Sequence, residues 1–296
     1  MALLERAIAS PGFQERFFFL AKRFVAGETI DSAVEAVRRL NADGLTATLD
    51  FLGEDVFEVS EAQASAEQTL RTVEAVDRAG IDANISLKLT ALGLAIDESL
   101  AAKHLSTIAE RASRNRDPFV RIDMEGSGVV DATLRTFEQV YSRNENVGIV
   151  LQSYLRRTER DVERAIALGA RVRMVKGAYK EPASIAYKDM AEIRRNYLTL
   201  AQRLLTHGTY PAIATHDLSL IEAVKRMTAE CGIAKDQLEF QLLYGMRPET
   251  QRRLAAEGYR VRVYVPFGSH WSGYLYRRLT ERKENVFFVL GSLFSR

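Results

Sequence analysis

Polar and charged side chains interrupt or close several short apolar runs of the sequence, where they could reach a common pocket. Lys88, Asp123 and Gln152 each end an otherwise apolar run. Further residues of this kind are Arg173, Lys176, Thr215, His216, Gln241 and Tyr264. A single buried charge is most often a paired structural ion. Together, however, the lysines and the arginine with the Asp123 carboxylate describe a polar cup that suits an anionic ligand.

Two adjacent arginines near the carboxyl terminus add positive charge. Arg277 and Arg278 lie in a helical stretch, with Glu281 one turn beyond them. Neighbouring helical side chains diverge by about 100°, so the two guanidinium groups can hold one planar carboxylate from two sides. The alternative is a solvated basic helix face, since most charge runs face water.

Eight short apolar runs, alternating with amphipathic helical segments, would have to position these side chains. The runs span 45–50, 83–89, 119–124, 147–152, 172–176, 212–215, 238–243 and 259–265. This pattern predicts an α/β fold, a (β/α)8 TIM-type barrel of about 250 residues, whose active site lies in the loops at the carboxyl ends of the strands. A doubly wound parallel sheet is the alternative.

The chain shows no linker, low-complexity tract or repeat, which predicts one barrel over 44–284 behind a helical arm over 1–43, with a tail over 285–296. Helix starts are expected at Thr29 and at two capping boxes. These boxes pair Ser60 with Gln63 and Thr158 with Asp161.

The aromatic arm has two alternative roles. Aromatic residues alternate there with cations, at Phe13, Arg16, Phe17, Lys22, Arg23 and Phe24. Such a stretch either attaches weakly to a membrane or partner, as in a scaffold that is not an enzyme, or packs on the barrel or another subunit.

Composition argues against several classes of protein. With 41 Lys and Arg against 39 Asp and Glu, the net charge of +2 gives no basic field for nucleic-acid binding. Cys231 is the one cysteine, so we expect an intracellular, cytoplasmic chain without an intramolecular disulfide or a zinc site. No apolar run approaches the roughly 18–20 residues that span a bilayer, and the amino terminus lacks a signal-peptide pattern. The Gly126-Ser-Gly128 pair fails as a dinucleotide fingerprint because Asp131 stands in the sixth position.

Several longer strings resemble the proline dehydrogenases, and most closely their short monofunctional bacterial branch. The strings are NISLKLTAL at 84–92, RIDME at 121–125, RMVKGAYKE at 173–181, ATH at 214–216, EFQLLYGM at 239–246, YVPFG at 264–268 and YRRLTE at 276–281. Their order along the expected strands makes the resemblance specific over most of the barrel.

The resemblance implies that FAD oxidises L-proline to Δ1-pyrroline-5-carboxylate and that a membrane quinone takes the electrons. It makes Arg277 and Arg278 the clamp for the substrate carboxylate, with Glu281 holding the arginines or Lys88 in place. Lys88 itself is implied as a further residue of the substrate pocket.

The resemblance also implies the catalytic and cofactor residues. Asp123 becomes the acidic residue near the reacting amine, Arg173 the cation beside flavin N5, and Tyr264 a catalytic residue of the substrate pocket. The positions that match FAD contacts are Met124, Gln152, Arg173, Lys176, Gly177, Ala178, Thr215 and His216. This agrees with chemistry, because hydride loss from the proline ring builds positive charge on its nitrogen, which a carboxylate stabilises.

Some positions depart from the long bifunctional relatives, among them Lys180, Glu181 and Asp217. We expect the second oxidation on another chain, a pyrroline-5-carboxylate dehydrogenase that makes transient contact with this one. A quinone acceptor adds the alternative of a peripheral position on the inner face of the cytoplasmic membrane. A class I aldolase-like barrel, with a Schiff base on Lys88 or Lys176, is the alternative enzyme.

Overall fold

The computed structural model of the protein describes residues 22–272 and Tyr274. Its helices in this range are α1 (Ile30–Ala42), α2 (Val59–Ala79), α3 (Glu98–Ala112), α4 (Val130–Tyr141), α5 (Thr158–Ala167), α6 (Met190–His207), α7 (Leu218–Glu230) and α8 (Pro248–Ala256). Its strands are β1 (Thr46–Phe51), β2 (Ala83–Leu87), β3 (Val120–Ile122), β4 (Val147–Gln152), β5 (Val172–Val175), β6 (Ala212–Ala214), β7 (Glu239–Leu243) and β8 (Arg260–Phe267).

The strands form one closed parallel barrel in sequence order. Strand β8 closes it by pairing with β1, from Thr46 opposite Arg262 to Phe51 opposite Phe267. An open sheet would leave two unpaired edges, so the doubly wound alternative is wrong and the predicted (β/α)8 barrel is confirmed. Helices α2 to α8 each connect two successive strands, which brings the loops that follow the strands to one end of the barrel.

Strand β3 is short, and its end positions an important side chain. The ladder covers only Val120–Ile122, so Asp123 follows the strand instead of closing it. The Asp123 backbone N–H still donates to the Leu87 carbonyl at 2.8 Å. This hydrogen bond fixes the first residue of the loop against the end of β2.

The helix starts agree with the sequence at one of three places. Thr29 caps α1 as expected, since its hydroxyl accepts from the Ser32 N–H, and the Ser32 hydroxyl accepts in turn from the Thr29 N–H. The two predicted capping boxes are wrong. Helix α2 begins one residue before Ser60 without a side-chain cap, and the Thr158 hydroxyl at the start of α5 donates instead to the Gln152 carbonyl at 2.5 Å.

The segment before α1 packs against the barrel. Phe24 and Val25 are buried in a cluster with Leu52 and Trp271, and the Ala26 N–H donates to the Pro266 carbonyl at 2.8 Å. For Phe24, the packing alternative therefore holds. Phe13, Arg16 and Phe17 lie outside the described residues, and the domain boundaries at 43/44 and 284/285 stay predictions.

The far end of the barrel carries the chain's one thiol. Cys231 is exposed and follows α7 directly. Because α7 runs from the carboxyl end of β6 back toward the amino end of β7, this thiol lies at the end opposite the loops that follow the strands. Within 22–272, no helix is both long enough and apolar enough to cross a bilayer.

Candidate active site

A cavity of about 350 Å³ lies at the carboxyl ends of the strands. Every predicted site residue that the structure describes lines it, namely Lys88, Asp123, Met124, Gln152, Arg173, Lys176, Gly177, Ala178, Thr215, His216 and Tyr264. Arg277, Arg278 and Glu281 lie outside the described residues. The barrel thus brings together side chains that are as far apart in the sequence as Lys88 and Tyr264.

Asp123 is the centre of a hydrogen-bonded group on the cavity floor. Its Oδ1 accepts from Arg173 Nη1 at 2.6 Å and from Ser86 Oγ at 2.8 Å. The Tyr264 hydroxyl lies 2.7 Å from its Oδ2. With strong donors on one oxygen, this carboxylate is held in place for a positively charged group in the cavity.

The structure adds Asp50, at the carboxyl end of β1, to this group. Its Oδ2 lies 2.5 Å from the Tyr264 hydroxyl and 3.2 Å from Lys88 Nζ. Its other oxygen, Oδ1, is buried without a hydrogen-bond partner among the described residues. Burial, reinforced by the charge of Asp123, raises the pKa of Asp50 despite the opposing charge of Lys88.

Arg173 has donors to spare. It is 4% exposed, yet its Nε and Nη2 atoms find no partner in the part of the chain that the structure describes. The buried Oε1 of Gln241, which also lines the cavity, is likewise without one there. Buried polar groups are almost always hydrogen-bonded, so these atoms suit a polar ligand in the cavity.

The turn after β5 requires glycine at 177. Gly177 has a φ of 112°, and a Cβ there would lie 2.1 Å from Cδ1 of Tyr154. The preceding Lys176 forms an ion pair with Asp217 at 3.4 Å. Burial opposes ionisation of Asp217, but hydrogen bonds from Arg194 and Ser219 and the charge of Lys176 outweigh it and lower its pKa.

His216 is held as one tautomer. The backbone N–H of Leu243 donates to His216 Nε2 at 2.9 Å. Because an amide N–H can only donate, Nε2 carries no proton and the ring proton of the neutral histidine is on Nδ1. The remaining nitrogen of this cavity-lining ring is therefore a donor.

A buried ionic layer lies below the cavity, at the amino-terminal half of the barrel. Arg262 donates from Nε to both oxygens of Glu239, at 3.0 and 3.1 Å, and from Nη1 to the Ala47 carbonyl at 2.7 Å. Its Nη2 lies 2.8 Å from Asp117. Sequence reasoning missed this layer, although Glu239 and Arg262, which lie inside the last two apolar runs, were a visible signal.

A second, smaller cavity of about 240 Å³ is lined by Glu54, Thr90 and Glu125 among others. Glu125 accepts from the hydroxyl of Thr90 at 2.6 Å and from its N–H at 3.3 Å. Burial nevertheless raises the pKa of Glu125 to about 7. Below that pH the group is mostly protonated in the folded protein.

Glu125 should make the protein less stable as the pH rises. In the unfolded chain this carboxyl ionises near 4.5, so the folded state loses stability from about pH 4.5 to about pH 7, by about 3 kcal/mol in all. Glu125→Gln removes this titration. Its unfolding free energy relative to wild type should therefore rise by about that amount between acid and alkaline pH. Urea unfolding of both proteins, at one pH below 4.5 and at one above 7, measures the change. A stability difference between variant and wild type that is independent of pH would contradict the prediction.

Comparison with known proteins identifies the family. The proline dehydrogenase family model matches residues 33–290. The chain is 44% identical over 270 residues to proline dehydrogenase 1 of Bacillus subtilis strain 168, covering 91% of this chain and 89% of that protein. It is 41% identical over 295 residues to proline dehydrogenase of Deinococcus radiodurans, covering 98% and 95%.

A solved structure shares the fold. The crystal structure of proline utilization A (PutA) from Bdellovibrio bacteriovorus, inactivated by N-propargylglycine, superposes with a TM-score of 0.83 at 27% identity. The match covers 91% of this chain and 33% of that longer one. Sequence and fold thus agree over the same barrel, and the chain belongs to the proline dehydrogenase family.

Proposed function

We propose that this chain oxidises L-proline to Δ1-pyrroline-5-carboxylate, the first step of proline catabolism to glutamate, with FAD as hydride acceptor and a membrane quinone as the final acceptor. The observation that carries this proposal is the group formed by Asp123, Arg173, Tyr264 and Lys88 in one cavity at the carboxyl ends of the strands. Family membership supports it.

Asp123 has the contacts that the substrate amine requires. The ring nitrogen must be neutral before hydride loss and gains positive charge during it. A carboxylate fixed by Arg173 and Ser86 can stabilise that charge without reorganising. Tyr264 orients the second oxygen of the same carboxylate.

The cavity fits a flavin. The Arg173 donors that have no hydrogen-bond partner among the described residues meet the need of an acceptor-rich isoalloxazine ring, and Gly177, which has no side chain, lines the cavity after β5. We assign Arg173, Lys176, Gln152, Thr215 and His216 to hold it, with Met124, Gly177 and Ala178 beside them. When bound, FAD supplies the hydride acceptor that amino-acid side chains lack.

The absorption spectrum tests this proposal directly. The purified protein should be yellow, and L-proline added without oxygen should bleach its visible flavin band. A colourless protein, or a flavin band that proline leaves unchanged, would overturn the proposal. Reoxidation by a soluble quinone analogue then tests the acceptor.

The arginine pair should hold the substrate carboxylate. Arg277→Met and Arg278→Met are each expected to weaken proline binding by about 2–4 kcal/mol, the scale for losing one partner of a desolvated charge pair. KM and rapid flavin-reduction kinetics measure this loss. Flavin content and folding should change little.

Pyrrolidine, which has the ring but no carboxylate, is the matched control substrate. It should be poor for wild type and should lose far less from the same substitutions. Solvated arginines would leave both substrates unaffected, and a purely structural pair would damage both equally.

The aldolase-like alternative is disfavoured at Lys176 by its ion pair with Asp217 at 3.4 Å. A lysine must be an uncharged amine to form a Schiff base, whereas an ionised carboxylate beside it favours ammonium. Lys88 is engaged by the Asp50 carboxyl group at 3.2 Å. Family membership also favours the flavin-dependent reaction.

We further propose a cytoplasmic enzyme that is peripheral on the inner face of the membrane where it meets its quinone. The product would pass to a separate pyrroline-5-carboxylate dehydrogenase through transient contact. Flotation with liposomes tests the membrane contact, and co-purification tests the protein contact.

A further inference from the structure

The Tyr264 hydroxyl lies between two carboxyl groups. It is 2.5 Å from Oδ2 of Asp50 and 2.7 Å from Oδ2 of Asp123. Both distances are those of O–H···O hydrogen bonds. Each contact therefore needs a proton between its two oxygens.

Counting protons shows that one is missing from the usual charge states. A tyrosine hydroxyl has one proton and can donate to only one acceptor. Two ionised carboxylates have no proton to return. The second contact can be a hydrogen bond only if one of the carboxyl groups is protonated and donates to the tyrosine oxygen.

The surroundings of the two carboxyl groups decide which one carries this proton. Asp123 accepts from Arg173 and Ser86 as well as from Tyr264, and its side chain is 14% exposed. Asp50 is 1% exposed and has Lys88 as its one described ion-pair partner. Its Oδ1 is buried without a described hydrogen-bond partner. The surroundings therefore stabilise a negative charge better on Asp123 than on Asp50.

We infer that Asp50 is protonated in the working enzyme and donates to Tyr264, so that the Tyr264 proton is directed to Asp123. Asp50 is then a positioning residue that acts through Tyr264. This inference rests on the proposed function for its meaning, but the protonation itself can be measured without substrate. The raised pKa of Asp50 agrees with it.

Protonation also changes the charge of the cavity floor. The charged groups that face Asp50 are Lys88 and Asp123. The neutral Tyr264 hydroxyl lies between the two carboxyl groups, and Arg173 contacts Oδ1 of Asp123. With Asp50 neutral, Lys88, Arg173 and Asp123 sum to one positive charge. That excess is what the carboxylate of an amino-acid substrate needs.

Infrared spectroscopy tests the proton directly. At about pH 6, where ordinary carboxyl groups are ionised, the wild-type protein should show a carboxylic-acid C=O band that Asp50→Asn removes. Glu125→Gln is the matched control, because Glu125 is another buried acid and should account for a separate band. Tyr264→Phe should shift the Asp50 band although Asp50 itself is not substituted, since this variant lacks the hydroxyl oxygen that accepts the Asp50 hydrogen bond.

Turnover gives a second test. Asp50→Asn keeps a neutral group with a donor and an acceptor, so it should retain at least ten-fold more turnover than Asp50→Ala. Circular dichroism shows whether both variants are folded. A wild-type spectrum without the band, a band that Tyr264→Phe leaves unshifted, or equal losses in the two Asp50 variants would each overturn the inference. If instead the proposed function were wrong, the band would be present but L-proline would not reduce the flavin.

Discussion

Replacing Asp123 by alanine should lower turnover with L-proline by about 10²–10⁴-fold, the range for losing a positioned acid–base group. The variant removes the carboxylate that Arg173, Ser86 and Tyr264 hold at the cavity floor. The developing charge on the ring nitrogen then has no anion beside it. Single-turnover flavin reduction measures the effect on the chemical step without the quinone reaction.

Flavin content separates this role from a structural one. Asp123→Ala should keep its cofactor, and Asp123→Asn, which preserves the shape, should lose nearly as much turnover. Asp236→Ala changes an exposed carboxylate elsewhere and serves as the control. Should Asp123→Ala lose flavin and turnover in equal proportion, Asp123 would be a structural residue.

Arg262→Met should destabilise the fold by about 3–5 kcal/mol, the cost of breaking a buried ion pair by removing one partner. Arg262 is 7% exposed and Glu239 only 2%, so the carboxylate left behind is buried away from bulk solvent. The hydrogen bond that Arg262 gives to the Ala47 carbonyl is lost as well. Urea unfolding followed by circular dichroism measures the change.

The double variant Arg262→Met with Glu239→Gln is the control, because it removes the stranded charge together with its partner. It should recover part of the stability. A loss of less than about 1 kcal/mol in Arg262→Met alone would contradict this prediction. It would show that other groups compensate Glu239, such as Arg121, whose charge also acts on it.

The barrel could be predicted because apolar runs and helix periodicity repeat eight times with short connections. The ends of the strands were harder to predict, since buried residues continue past the last residue that pairs with a neighbouring strand. Met124, for example, is buried but follows β3. The capping box at Thr158 failed because α5 begins at Thr158 itself, after Arg157, and the Thr158 hydroxyl donates to the Gln152 carbonyl. Spacing along the sequence does not reveal such a competitor.

The cavity residues could be predicted because parallel strands end at a common face, which collects polar residues such as Lys88 and Asp123. The same rule applies to Asp50, which closes the first apolar run, and would have found it. The ionic layer of Arg262 and Glu239 was harder to predict. Charges within a run are visible in the sequence, but their partners depend on how the strands are staggered around the barrel.

The position of Cys231 has a practical consequence for surface chemistry. It is the chain's one thiol and is exposed after α7, at the end of the barrel away from the cavity. A maleimide-coated electrode would capture every molecule through that single sulfur atom. The immobilised layer would then face solution with its cavity mouths outward, in one orientation and without an engineered anchor.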